Sequence, residues 1–458
     1  MMIDPSIIKM TYEQQAKLIK KQSQEIVELK ALVQSLMLRI SELEHKKNSK
    51  NSSISPSQDP NRKRQKSLRK KTGKKPGGQQ GHKGTTKKMV SAPDHEINHK
   101  PRYCQHCRTE LQCSLQLEGR RQVIDIPPIK PEYTEHRIYS GKCSCCGHKT
   151  ISQYPQQVRG NVSYGPNIEA LAVYLNVRQY MPYGRMQEYF DQLLGLQISQ
   201  GTLVNLVARA ADKSRSVYQR IKDEIKAAKW IGSDETGCRV NGKKYWYWTW
   251  QNDELTFITA SDTRGFSTVE HHFPNGLKDS ILVSDCLAAQ LKQNCAAHQI
   301  CLAHLYRDLN YLIEKDMEQW SSKLKSLLQK ACNLKQQIDY TQFANYKNEI
   351  IDIERQLQML LQHQLEYRCV HQKQLQKRLV KNQSHILTFL YHKQVPPDNN
   401  GSERAIRNVK VKQKISGQFK SPAMAQAFAT LRSVIDTCIK RQVQLMPTLQ
   451  QVALCHAE

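Results

Sequence analysis

From Ile19 to Leu43 apolar residues return every seven positions: Ile19, Ile26, Val33 and Ile40 hold one register, and Leu29, Leu36 and Leu43 sit three residues further on. This is a heptad seam, with Gln22 in the remaining core slot. β-Branched residues at the first register and leucine at the second favour two parallel strands; a trimer and a helix docked on its own globular domain are the alternatives. Beyond it, from Asn48 to Lys88, apolar periodicity disappears into Ser, Pro, Gly and basic residues. Such a stretch buries too little surface to offset its ordering entropy and reads as a flexible arm.

Between Ser163 and Ala211 three helical patterns follow one another and end in "YFDQLLGLQISQGTLVNLVARAA". Gly195 marks the turn between the last two and Ser199 is a candidate N-cap, which describes a helix-turn-helix or an ordinary helical hairpin of the same spacing. After Lys229 the texture becomes strand-like. "WIGSDETG" is an apolar lead-in to Asp234, "KKYWYWTWQ" alternates as a half-buried strand, "LTFITASDTRG" supplies a third, and "SILVSDCLA" repeats the first arrangement before Asp285. Three consecutive strands and a crossover to a further one predict a mixed sheet with helices packed on it. The stretch from about Tyr306 to His392 is rich in Leu, Gln and Lys, with helical periodicity and no strand signal.

Charge narrows the class of partner. The chain of 458 residues carries 69 Lys and Arg against 41 Asp and Glu, a formal charge of +28, so a polyanion is expected and nucleic acid fits best. The arm concentrates that charge in Arg62, Lys63, Arg64, Lys66, Arg69, Lys70, Lys71, Lys74 and Lys75, with no acidic residue between Asn61 and Pro93. These side chains are the candidate contacts to DNA phosphates; a solvated linker is the alternative. No apolar run is long enough to span a membrane, and Met1 to Lys21 lacks the apolar core of a signal peptide, so the chain reads as cytosolic.

In a reducing compartment the 14 cysteines call for something other than disulfides. Cys104 with Cys107 and Cys143 with Cys146 form two C-x-x-C pairs, separated by strand-like segments at Gln122 to Ile126 and Thr134 to Tyr139. Two such knuckles suit a structural four-thiolate Zn²⁺ site; Cys145, His106 and His148 are close enough to substitute as ligands, and a redox pair is the competing reading.

Asp234 and Asp285 each follow the apolar run of a predicted strand, where two carboxylates can meet and hold a hard divalent cation such as Mg²⁺. Either alone also suits a turn. In "VPPDNNGSERAIRNVKVK" the prolines stop what precedes, Asp398, Asn399, Asn400 and Ser402 offer capping oxygens, and a helix begins near Glu403. Glu403 then shares a face with Ile406 and Arg407, although a glutamate in a first turn also answers the helix dipole. Arg404, Arg407 and Lys410 keep that surface basic.

With these motifs the chain resembles the transposases of the insertion-sequence 66 family. The likeness runs nearly end to end: the heptad helix, "KNSS" and "KKPGGQQGHKG", the knuckles "YCQHC" and "CSCCG" around "RRQVIDIPP", then "SDETG", "VSDC", "CLAHLYRDL" and "PPDNNGSERAIR". It implies an RNase H-like catalytic domain, with Asp234, Asp285 and Glu403 as an Asp-Asp-Glu triad and a helical insertion between the second and third acids. It further implies two Mg²⁺ (or Mn²⁺) ions at the triad, double-stranded DNA as partner and substrate, both as transposon ends and as target, and accessory proteins in some relatives. Cys301, His304 and Arg307 belong to the resemblance without an evident role. Cys238 stands where similar sequences carry an aromatic residue, and Cys145 is an extra thiol.

The expected organisation is a multidomain α+β protein. It comprises a coiled coil (12–46) that pairs two subunits, the basic arm (47–92), a zinc-binding module (93–155), a helix-turn-helix-like DNA-binding region (160–225), the catalytic domain in two pieces (226–305 and 394–435), the helical insertion (306–393) and a tail (436–458). Two other functions are compatible with the same residues: a nuclease that cuts without joining, and a catalytically inactive DNA-binding repressor derived from a transposase.

Overall fold

The computed structural model describes residues 11–44, 81, 83, 87–155, 158, 160–313, 319–366 and 370–455. The basic residues of the arm from Arg62 to Lys75 lie outside this set. The heptad segment is one helix, α1 (Tyr12–Glu44), whose apolar positions Ile19, Ile26, Leu29, Val33, Leu36 and Ile40 are all exposed. Between 87 and 155 regular structure is limited to β1 (Ser140–Lys142), paired antiparallel with β2 (Lys149–Ile151), and an isolated bridge between Tyr103 and Glu110. The strand-like segments expected at 122–126 and 134–139 form no strand. Val123, Ile124 and Ile126 are exposed, and no neighbour supplies the ladder that their alternation anticipates.

The helical region is α2 (Pro166–Val173), α3 (Tyr183–Leu194), α4 (Gln200–Lys213) and α5 (Arg215–Lys226). Gly195 ends α3 in the left-handed conformation (φ 60°), and the Ser199 side chain accepts from the Thr202 N–H, so the turn has the geometry read from its sequence.

The sheet comprises β3 (Trp230–Val240), β4 (Lys243–Gln251), β5 (Thr256–Ser261), β6 (Leu277–Ser284) and β7 (Cys295–Ile300), in the spatial order β5-β4-β3-β6-β7. The first three strands are antiparallel; β6 and β7 continue parallel to β3. Short helices α6 (Phe266–His272) and α7 (Ala288–Leu291) serve the crossovers. The all-helical stretch is α8 (Leu302–Ile313), α9 (Trp320–Gln337), α10 (Lys347–Gln362), α11 (Val370–Lys381) and α12 (Thr388–Tyr391), followed by α13 (Asn400–Ser416), α14 (Pro422–Lys440) and α15 (Leu445–Leu454).

Strand alternation divides the core. Trp248, Trp250, Phe257, Ile231 and Leu282 pack with Ile221 and Ile225 of α5, Val269 of α6 and Phe273 just beyond it. On the opposite side Tyr247 and Ile258 meet Val409 of α13, Leu431 of α14 and residues of α2 and α4. Ile281 and Val283 of β6 join the leucines and isoleucines of α8 to α12, so the insertion shares its core with the sheet. The chain is thus a mixed α+β protein. The expected boundary at residue 435 falls inside α14, whose apolar pattern runs on through Val434, Ile435 and Cys438, and α15 packs on α2, so 436–458 is not a separate tail. No described helix is long and apolar enough to cross a membrane.

Candidate active site

Asp234 lies within β3 rather than just beyond a strand, in register with Thr249 of β4. Alternation places Gly232, Asp234 and Thr236 on one face and Ser233 and Glu235 on the other. The first face receives α13. A side-chain Cβ at Gly232 would stand 2.6 Å from Asn399 Oδ1 and 2.7 Å from both Gln251 Nε2 and Ser402 Oγ, and one at Gly401 would stand 2.5 Å from Gln251 Nε2. Helix and strand therefore meet where neither has a side chain. The junction is fastened by polar contacts. Asn399 Nδ2 donates to the Ser233 carbonyl (2.5 Å), Gln251 Nε2 to Ser402 Oγ (3.3 Å), and Lys440 Nζ to Gln251 Oε1 (2.7 Å). Glu403, in the first turn of α13, is so held above the Asp234 face.

Asp285 follows β6, which lies beside β3, and its Oδ1 accepts the Leu287 N–H (2.8 Å), so it shapes the turn as well as facing the other acids. Burial above all, then the charges of Glu235, Asp285 and Glu403, push the Asp234 carboxyl well above the ordinary carboxylate range. Three carboxylates from β3, the end of β6 and α13 thus share one electrostatic environment.

Two elements that the sequence left without a role complete the rim. Arg307 Nη2 of α8 donates to Glu403 Oε1 at 2.6 Å, and His304 Nε2 stands 3.8 Å from the same oxygen. Burial, then the Arg307 charge, lowers the His304 pKa, which favours the neutral ring. Cys301 is buried and accepts the Asn399 N–H on its sulfur (3.1 Å), and the Leu302 N–H donates to the Pro397 carbonyl (2.9 Å). The "CLAHLYRDL" segment therefore docks the start of α8 against the start of α13. Arg378 of α11 pairs with Asp308, tying the insertion to the same helix.

Glu235, adjacent to Asp234 but on the other face, went unnoticed in the sequence. Arg264 binds it through Nε (2.9 Å) and Nη2 (2.6 Å), and Gln290 donates to its second oxygen (2.8 Å). Its partners make it a buried structural acid whose charge acts on the site through the strand. Arg404 and Arg407 are exposed and form no ion pair among the described residues, whereas Lys410 is turned inward to the Gly237 carbonyl (2.6 Å).

A profile described as the transposase IS66 family matches residues 161–427. The chain belongs to the IS66 transposase family. A second profile, a family of unknown function (DUF6444), matches residues 3–88, which span the heptad helix and the basic arm. No curated protein matches the chain.

The cysteine knuckles of this transposase are alike. The residue after each second cysteine is left-handed, Arg108 at φ 63° and Gly147 at φ 70°, and the Cys104 and Cys143 N–H groups donate to the Thr109 and His148 carbonyls (2.8 and 2.9 Å). The Thr109 hydroxyl, chiefly, lowers the Cys107 thiol to about 7, and the backbone N–H groups of Cys146 and Cys145 lower Cys143. Each pair comes together, but among the described residues no three His, Cys, Asp or Glu side chains converge as ligands of one ion, either between the knuckles or at the carboxylates. In the helix-turn-helix-like hairpin, the basic residues of α4 are engaged internally: Arg209 and Lys213 bind Glu169 of α2 (2.7 and 3.0 Å). The exposed polar positions of α4 are Gln200, Asn205 and Asp212.

Proposed function

We propose that this transposase cuts and joins DNA through an RNase H-like domain in which Asp234, Asp285 and Glu403 hold two Mg²⁺ (or Mn²⁺) ions. The observation that carries the reading is the docking of α13 through Gly232 and Gly401, which sets Glu403 over the strand that bears Asp234 and beside the strand that ends at Asp285. The order β5-β4-β3-β6-β7, with acids on its first strand, after its fourth and on a helix laid across them, supports the RNase H-like assignment. The donor set suits a hard divalent cation: the side chains are all carboxylates, and Asp234 is raised first by burial and then by the charges of Glu235, Asp285 and Glu403, which a bound cation would offset.

Held by Asp234, Asp285 and Glu403, two such ions would supply activation of the attacking water and stabilisation of the departing 3′ oxygen. The protein's part is to keep three like charges together. β3 and β6 fix the aspartates on adjacent strands, α13 brings Glu403 to them, and the apolar layers on both faces limit water. Water adds to the phosphorus as the P–O3′ bond breaks, leaving a 5′-phosphate and a 3′-hydroxyl; that 3′-hydroxyl then adds to a target phosphorus as the target's own P–O3′ bond breaks and its 3′ oxygen leaves with the proton. Arg404 and Arg407 stand free on α13 to take DNA phosphates, joined by the basic residues from Arg62 to Lys75. DNA reading by α4 would fall to Gln200 and Asn205, and the exposed seam of α1 is suited to pair two subunits so that two transposon ends meet. Purified protein given a pre-cleaved transposon end, plasmid and Mg²⁺ is expected to join the two. Cleavage without joining would instead identify a nuclease, and binding without either a repressor.

The knuckles we assign to one structural Zn²⁺ bound by Cys104, Cys107, Cys143 and Cys146. Elemental analysis of the purified chain should find one zinc per protein, lost on Cys104→Ser or Cys143→Ser with the carboxylate site's activity on short DNA ends largely kept. Zinc retained in the double variant Cys104→Ser/Cys143→Ser would assign the ion elsewhere.

A further inference from the structure

The guanidinium of Arg307 has one partner outside its own helix among the described side chains, and that partner is Glu403. Both side chains are about a quarter exposed, 26% and 28%, so the pair is neither sealed in the core nor freely solvated. A fixed structural pair of this kind would normally be matched by packing or by further hydrogen bonds; here the second carboxylate oxygen of Glu403 has no hydrogen bond among the described residues. The nearby ring of His304 leaves its Nδ1 buried and unpartnered. Arg307 therefore stands where a cation bound to Glu403 would compete with it.

We infer that Arg307 is a DNA-released placeholder: it holds Glu403 in the free protein and yields it to the metal only when a DNA phosphate takes the guanidinium. The inference rests on the carboxylate reading given above. Arginine is suited to such an exchange, because its planar fork binds carboxylate and phosphate with the same geometry. A strand backbone reaching the site also has a defined approach, along the exposed Arg404 and Arg407 one turn and less from Glu403. The effect is reciprocal by linkage. If DNA frees Glu403 for the metal, the metal must also tighten DNA by the same factor. Arg307 is a positioning residue in this scheme, acting on the reaction through Glu403. Metal binding is then weak until a DNA backbone occupies the site.

The test measures Mn²⁺ binding to the full-length protein by the loss of the free-ion electron paramagnetic resonance signal, with and without a short duplex copied from the end flanking its gene. For the wild type, DNA should tighten Mn²⁺ binding by about tenfold or more, within the usual range of coupling between sites. Arg307→Ala should bind Mn²⁺ tightly without DNA and lose the dependence, while Arg307→Lys, which keeps the charge, should restore weak binding in its absence. Should Arg307→Ala fail to fold by circular dichroism, Arg307→Met, which preserves the packing of the stem, carries the same expectation. Metal binding that Asp234→Asn abolishes but that Arg307 variants leave unchanged overturns the placeholder alone. Binding that Asp234→Asn leaves intact overturns the carboxylate site beneath it.

Discussion

Asp234→Asn is expected to abolish DNA cleavage and joining while making the metal-free transposase more stable. Removal of a ligand that positions the ions should lower the rate on the order of a thousandfold or more, the scale seen when one preorganised electrostatic group is lost. The gain in stability has the same origin. Burial and the charges of Glu235, Asp285 and Glu403 raise the Asp234 pKa, so the folded chain binds that proton more tightly than the unfolded chain does. Its stabilising contribution is full below the ordinary value of 3.8 and is lost as pH rises through the higher folded value. Asparagine mimics the protonated state at every pH. Thermal midpoints of the two proteins should therefore coincide in acid and separate towards neutral pH, with the variant higher by roughly 2–4 °C for each kcal/mol that burial and repulsion of the carboxylate had cost. Mg²⁺ should raise the wild-type midpoint and leave that of the variant in place. A variant less stable than the wild type at neutral pH would show that Asp234 is an ordinary satisfied polar residue.

Gly232→Ala should disable the enzyme without touching a carboxylate. Its methyl group would meet Asn399, Gln251 and Ser402 at 2.6 to 2.7 Å, and these are the side chains that fasten α13 to the sheet. Gln251 cannot simply swing aside, since it is buried and is held by Lys440 and Ser402. Overpacking at such a contact costs about 1–3 kcal/mol, and any outward shift of α13 carries Glu403 with it. A displacement near 1 Å at a reacting centre can cost about a hundredfold in rate, so activity should fall well beyond what the loss of stability explains. Activity per folded molecule at the wild-type level would mean that the helix position is not critical to the chemistry.

These two positions show what a linear reading can and cannot reach. β3 to β6 were legible because apolar alternation and short turns mark them. β7 was not. Its segment "CAAHQI" carries Gln299, which is fully buried yet satisfied by the Phe389 N–H and the Ile386 carbonyl of the insertion, so polarity hides a strand whose buried glutamine finds its partners 90 and 87 residues away. Conversely, "QVIDI" has the alternation of a strand and no neighbour to pair with, which is why pattern alone overstates it. The helix bearing Glu403 was expected close to its true start, three residues before the glutamate, from its prolines and capping residues. Arg307 could be singled out as a motif residue but not given a role, because the ion pair is a product of how α8 and α13 dock. Gly232 and Gly401 look like ordinary turn or loop glycines until the two backbones are seen to approach.

The Leu302–Pro397 hydrogen bond joins the two ends of the insertion, and the order of synthesis gives that closure a further meaning. Asp234 and Asp285 leave the ribosome early, whereas Glu403 can dock only after α8 to α12 have been made and have covered Ile281 and Val283. Contacts so distant in sequence form late, after shorter-range structure has offset its own loop-closure cost. Between the synthesis of β7, which ends at Ile300, and that of α13, which begins at Asn400, the nascent chain is therefore a sheet without its third acid. An arrangement that gathers mutually repelling groups is thus completed only after the two strands that carry the aspartates and the helices of the insertion have been made.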